Sequence, residues 1–488
     1  MKHLWRILLP ACLASLLGAP ALASEQANLK PCRVVGIKTE VQCGVLQRAL
    51  DPTRPAGVKI DIHYVVVPAL ARRKLPDPVF LLAGGPGQSA IAVAPVVMEQ
   101  MRRLNNRRDL VFVDQRGTGK SAPLVCADDR AASLAQQLDE KRREARQRQC
   151  LAELQKLPYG DLRFFTTTLA MQDVDAVRRA LGATTINLIG ASYGTRAALE
   201  YMRQFGPSVR RSVIDGVAPP DMVLPASVST DSQAALNALL LACEAEADCK
   251  RDYPSLRSDW ATLLASLPRE VALTNPLSGD AQRVLLTRES LLDAVRGPLY
   301  APALAAALPY AVQQAARGRF EALLGLSAVL SERGHTRLAE GMHFSVVCAE
   351  DAPRLAKAPA PGTDFGLAFA QRYVQACSFW PRGEVPEAFY TVSASAAPVL
   401  VLSGGLDPVT PPHHGERVSK ALGPNAKHVI VANAGHGVMS LSCMHEVLFR
   451  FINATEDAAA LSLDAGCATG IPRPPAFVPV RKIAQGAT

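Results

Sequence analysis

Apolar residues in this chain follow two alternating patterns. Short, nearly continuous apolar runs occur at Pro78–Ala83, Leu110–Val113, Ile186–Ile189, Val209–Ile214, Pro398–Ser403 and Lys427–Val431. Before them, Val58–Val67 alternates at Val58, Ile60 and Ile62, then becomes continuous from Tyr64. Runs of this length and composition suit strands buried on both faces. Between them the spacing turns helical. Thr168–Leu181 sets Val174, Val177 and Leu181 on one face, with a threonine able to cap its start and Gly182 to stop it. Thr195–Phe205 reads as the next helix, with Ala197 and Ala198 suited to close packing. Strands alternating with helices predict a mostly parallel sheet covered on both faces.

The pattern changes near Val217. From there to about Ala394 alanine and leucine recur at helical spacing, with candidate helices at Leu236–Cys243, Trp260–Leu267, Arg288–Val295 and Phe320–Leu330, and few strand-like runs. The expected organisation is an α/β core from 24–216 and 395–488, interrupted by a mainly helical cap over 217–394. Pro472–Pro479 reads as a surface-wrapping tail.

The N-terminus differs from both patterns. Lys2 and Arg6 precede a broken apolar stretch, Ile7–Leu17, and Ala21-Leu22-Ala23 is a small-x-small cleavage site. Residues 1–23 therefore read as a signal peptide leaving Ser24 first, in preference to lipoprotein processing at Cys12. Pro10 and Pro20 break the stretch too often for a membrane span. With Cys12 removed, ten of the 11 cysteines remain. An even count in an exported chain suggests disulfides and a periplasmic or secreted location. Pairing sequence neighbours gives Cys32/Cys43, Cys126/Cys150, Cys243/Cys249, Cys348/Cys377 and Cys443/Cys467, one of many combinations that ten thiols allow. With no C-x-x-C pair and no paired histidines beside the cysteines, no metal or other cofactor is expected.

Length and charge alter this little. The 488 residues, 49% of them hydrophobic, suffice for a large core, and a monomer is expected. Net charge is +9, or +7 without Lys2 and Arg6. The basic run Lys141–Arg148 sits in a helix-like stretch without interleaved aromatic residues, so it reads as a solvated face and no nucleic-acid partner is expected.

The chemistry lies where strands end. Ile186–Ile189 runs into Gly190-Ala191-Ser192-Tyr193-Gly194, a G-x-S-x-G turn followed by a helix, the context of a nucleophile elbow. Pro398–Ser403 leads to Asp407, and Lys427–Val431 leads to His436. Loops at the carboxyl ends of parallel strands gather on one edge, so the three can meet. In that order they form a nucleophile, acid and base set, with His436 taking the Ser192 proton and Asp407 holding the imidazole. Asp215 is the reserve acid, and His413 and His414 are reserve bases. The backbone N–H groups of Tyr193 and of Gly85, within Gly84-Gly85-Pro86-Gly87, are expected to hold the oxyanion. Asp114–Ser121, DQRGTGKS, imitates a phosphate loop but has aspartate where G-x-x-x-x-G-K-[ST] needs glycine, and Pro123 interrupts any following helix.

Together GGPG, DQRGTGKS, GASYG, GLDPVTP and AGHG resemble secreted α/β-hydrolases of the prolyl aminopeptidase and tripeptidyl aminopeptidase family. The resemblance implies an α/β-hydrolase fold, with Ser192, Asp407 and His436 as triad and Gly85 and Tyr193 at the oxyanion hole. Ala83 stands where many prolyl aminopeptidases have histidine, which favours the tripeptidyl-like branch. His343–Asp351 looks like the family segment whose acidic residue faces the active site. Glu350, with Asp351 second, is thus expected to bind the free amine of a short peptide. The implied activity is a serine exopeptidase releasing amino acids or short N-terminal peptides; the alternative is a carboxylic-ester hydrolase on the same scaffold.

Overall fold

The computed structural model describes residues 27–129, 132–275, 278–333, 338–355 and 362–479. The expected signal peptide lies outside them. Strands β1 (Lys30–Cys32), β2 (Val41–Ala49), β3 (Lys59–Val67), β4 (Val79–Leu82), β5 (Leu110–Val113), β6 (Ile186–Ala191), β7 (Val209–Asp215), β10 (Val399–Gly404) and β11 (Ala426–Val431) form a nine-stranded sheet. Its order is β1-β2-β3-β5-β4-β6-β7-β10-β11. From β5 to β11 all neighbours are parallel, and β1, β2 and β3 extend the edge antiparallel.

Residue alternation decides which core each side chain joins. On one face Phe80, Leu82, Ile186, Leu188, Val399 and Val401 pack with Val174 and Val177 of helix Thr167–Ala180 and Tyr201 of helix Tyr193–Phe205. On the other, Val79, Leu81, Ile189, Leu400 and Leu402 meet Ala94 and Leu104 of helix Ala90–Asn105, and Val447 and Phe451 of helix Ser442–Asn453. The apolar runs are continuous because both faces are covered.

Between β7 and β10 helices dominate, including Leu224–Ala245, Leu256–Ala265, Arg288–Leu299 and Glu321–Arg333. Much of this segment builds its own apolar cluster around Leu236, Trp260, Val295 and Leu308. It also holds an antiparallel hairpin, β8 (Arg269–Thr274) with β9 (Ala281–Leu286), which the helical reading did not single out. Helix Glu340–Glu350, by contrast, sends Met342, Val346 and Cys348 into the sheet's core.

All five neighbour pairings of cysteine are present as disulfides. The tail docks on the helical segment, where the Phe477 N–H donates to the Ala306 carbonyl at 2.8 Å. No helix among the described residues is long and apolar enough to cross a membrane.

Candidate active site

Ser192 sits at the sharp turn between β6 and helix Tyr193–Phe205, with φ 55° and ψ −124°. A non-glycine residue holds that conformation only when its surroundings impose it. Here the Ser192 N–H donates to the Asp215 carbonyl at 2.9 Å, and its own carbonyl accepts from Thr195 N and Oγ1 at 2.9 and 2.6 Å. A Cβ on Gly194 would come within 2.0 Å of the Leu82 carbonyl oxygen, and one on Gly190 within 2.3 Å of the Gly194 oxygen. Strand and helix cross too closely there for any side chain.

The Gly84–Gly87 turn lies alongside. A Cβ on Gly84 would be 3.3 Å from the Ser192 Cβ. Its N–H donates to Gln88 Oε1 at 3.2 Å, whereas among the described residues no hydrogen bond engages the Gly85 N–H. Gly85 and Gly87 have φ of 112° and 110°, so this turn requires glycine.

Asp407 and His436 meet at the ends of β10 and β11, where Asp407 Oδ2 lies 2.8 Å from His436 Nδ1. The Asp407 carboxylate also accepts from Val409 N and Thr410 N at 2.9 Å each, and from Thr410 Oγ1 at 2.7 Å. Thr410 Oγ1 lies 3.1 Å from His436 Nδ1 as well. Thr410 is not among the expected site residues, although aspartate followed three residues later by threonine is the spacing of a side-chain-closed turn. Burial pushes the Asp407 carboxyl up, but His436 and these donors outweigh it and hold the carboxyl below its ordinary range. Burial lowers the His436 imidazole, yet Asp407 and Asp215 leave it net raised.

Further contacts hold the histidine loop. The His436 N–H donates to the Tyr300 carbonyl at 2.9 Å, and the Tyr300 ring meets the imidazole edge-on at 5.2 Å. Asp215, the reserve acid, accepts from Val438 N and Met439 N at 3.1 and 2.8 Å and so fastens this loop to β7. Burial raises its carboxyl to about 6. Gly216 follows it, and a Cβ there would be 3.2 Å from His436 Cε1. Ser192 is thus hydrogen-bonded to one side of the Asp215–Gly216 turn and His436 packs on the other.

The remaining candidates lie elsewhere. His413 and His414 open helix Pro412–Leu422 and face Asp231. In the DQRGTGKS run, Asp114 accepts from Ser89 Oγ, Ile91 N and Lys120 N, and Arg116 forms a buried two-pronged pair with Asp173 at 2.7 and 3.0 Å. That run builds a turn.

Glu350 and Asp351 lie at the end of helix Glu340–Glu350. Both are fully buried. The Arg196 guanidinium reaches Glu350 at 3.4 Å and Asp351 at 3.0 and 3.1 Å. Glu350 accepts the Thr167 N–H at 2.8 Å, and Asp351 accepts the Leu224 N–H at 3.0 Å. In the absence of substrate both carboxylates face the Arg196 guanidinium. Glu350 also does what a threonine was expected to do: Thr166 makes no side-chain cap, and the carboxylate closes the positive end of helix Thr167–Ala180.

Residues 77–441 match the alpha/beta hydrolase fold family. The chain is 25% identical over 417 residues to serine protease Hip1 of Mycobacterium tuberculosis, covering 78% of this chain and 80% of that protein. It is 27% identical over 453 residues to carboxylesterase B of the same species, covering 83% of each. A shorter match, 30% identical over 192 residues, covers 37% of this chain and 36% of the tripeptidyl aminopeptidase of Streptomyces lividans.

Proposed function

The chain belongs to the α/β-hydrolase family and is a serine hydrolase, and within that class we propose that it is an exported exopeptidase acting through an acyl-enzyme on Ser192. The observation that carries the site assignment is the strained Ser192 turn on the same sheet edge as the hydrogen-bonded Asp407–His436 pair. His436 accepts the Ser192 Oγ proton as that oxygen attacks the scissile carbonyl. The N–H groups of Tyr193 and Gly85 receive the oxyanion. His436 then returns the proton to the leaving amine, and water, activated the same way, releases the acyl group.

The peptidase reading rests on similarity to a serine protease and a tripeptidyl aminopeptidase, and short peptides with a free N-terminus are the proposed substrates. The Tyr300 carbonyl supports a restricted site, because it brings the segment between β7 and β10 directly onto the His436 loop. Five disulfides suit an oxidising compartment outside the cytoplasm. The similarity to carboxylesterase B favours a second reading, ester hydrolysis by the same triad.

One experiment separates them: kcat/KM on aminoacyl, dipeptidyl and tripeptidyl anilides, their N-acetylated forms and short-chain esters, with Ser192→Ala as control. Preference for free-amine peptides supports the exopeptidase. Ester turnover without peptide turnover overturns it.

A further inference from the structure

We propose that Asp231, His413 and His414 form a binding site for a zinc-like divalent transition-metal ion. Bound there, the ion clamps helix Leu224–Ala245 to the first turn of helix Pro412–Leu422, which follows the loop that carries Asp407. The proposal is independent of the hydrolytic reading.

The donors already converge. Asp231 Oδ2 is 2.9 Å from His414 Nε2, and Asp231 Oδ1 is 3.7 Å from His413 Nε2. One donor atom from each of the three residues lies within 4.8 Å of the other two. Zinc binds such atoms at about 2.0–2.2 Å, which sets neighbouring tetrahedral ligands about 3.3 Å apart. The two observed separations, each to a different oxygen of the carboxylate, lie on either side of that value. The imidazoles lie side by side, with ring centroids 4.0 Å apart.

Asp231 is buried, and among the described residues its ion pairs are with these two histidines. A divalent cation there supplies the buried carboxylate with a counter-charge. His414 Nε2 faces Asp231 Oδ2, and Nδ1 on the other side of its ring is buried with no hydrogen-bond partner among the described residues. The His413 side chain is 58% exposed, which provides an entry path and leaves a fourth position to water. Two imidazoles and one carboxylate suit zinc, copper or nickel; calcium and magnesium want oxygen.

The location gives the ion a positioning role. Ser232 Oγ donates to the Pro408 carbonyl at 3.1 Å, so one tie already joins this helix to the residue after Asp407. A metal at Asp231 adds a second beside it.

The test titrates untagged, chelator-stripped protein with zinc chloride by calorimetry and indicator competition. We expect one zinc per chain, no saturable magnesium or calcium binding, and a zinc-dependent rise in the unfolding midpoint. His413→Ala, at an exposed position, and Asp231→Asn should each weaken zinc binding at least about tenfold and abolish the thermal rise. Ser192→Ala should bind zinc as the parent does. No stoichiometric binding, or unchanged affinity in His413→Ala, overturns the proposal and leaves Asp231–His414 as a hydrogen-bonded tether.

Discussion

Two buried acid clusters, Asp407 and the Glu350–Asp351 pair, differ in what faces them. Asp407 accepts three donors from its own turn and shares its remaining contact with His436, whose side chain is 17% exposed. Glu350 and Asp351 share Arg196, whose side chain is 1% exposed. An acid near a nucleophile bears on chemistry only when its partner reaches the cleft. Where the partner is internal, the acid holds elements together: Glu350 caps Thr167–Ala180, and Asp351 anchors the start of Leu224–Ala245.

Four substitutions test this difference, the first with the largest expected effect. Ser192→Ala should lower turnover by on the order of 10⁶-fold and abolish labelling by a serine-directed phosphonate. Labelling that survives the substitution places the nucleophile elsewhere.

Asp407→Asn should lower kcat by about 10⁴-fold. It should also move the acid limb of kcat/KM to lower pH. His436 must be neutral to accept the proton, so activity falls as pH drops through its pKa, and Asp407 is among the causes holding that pKa up. An unmoved limb would separate Asp407 from His436 in function.

Arg196→Met leaves two buried carboxylates without their cation, which typically costs about 3–5 kcal/mol. The measurement is the denaturant midpoint. A large loss of activity at unchanged stability would transfer this cluster to the catalytic side of the comparison.

Glu350→Gln tests the same division more gently. Burial is the largest influence on the Glu350 carboxyl and raises it to about 7 despite the opposing pull of Arg196. Between about 4.5 and 7 the folded chain therefore keeps a proton that the unfolded chain has released, so parent stability falls as pH rises through that window. The variant should flatten this slope while leaving the ratio of kcat/KM for free-amine and acetylated peptides unchanged. A selective penalty on free-amine peptides would restore Glu350 as the amine anchor.

Much of the sheet was legible because its strands are covered twice. Leu110–Val113 has the bounds that its apolar run predicts, and the strand begun at Ile186 runs two residues into the G-x-S-x-G motif, to Ala191. The β8–β9 hairpin was not, because Arg269–Thr274 buries only Val271 and Leu273 and exposes its other face. Thr410 was read as part of a loop motif, since its contacts with Asp407 and His436 arise only once two strand ends are adjacent.

What the sequence determined by itself was local: apolar period, the glycines of the Ser192 turn, the placement of an acid and a histidine after successive strands, and the even cysteine count. These follow from short-range sterics and from burial averaged over a few residues. Only the tertiary structure decided what each buried charge faces. Glu350 meets Thr167 and Arg196 across separations of 183 and 154 residues, and His414 meets Asp231 across 183. A carboxylate's role depends on whether water, a ligand or a guanidinium occupies the few ångströms around it, and the packing of distant elements sets that.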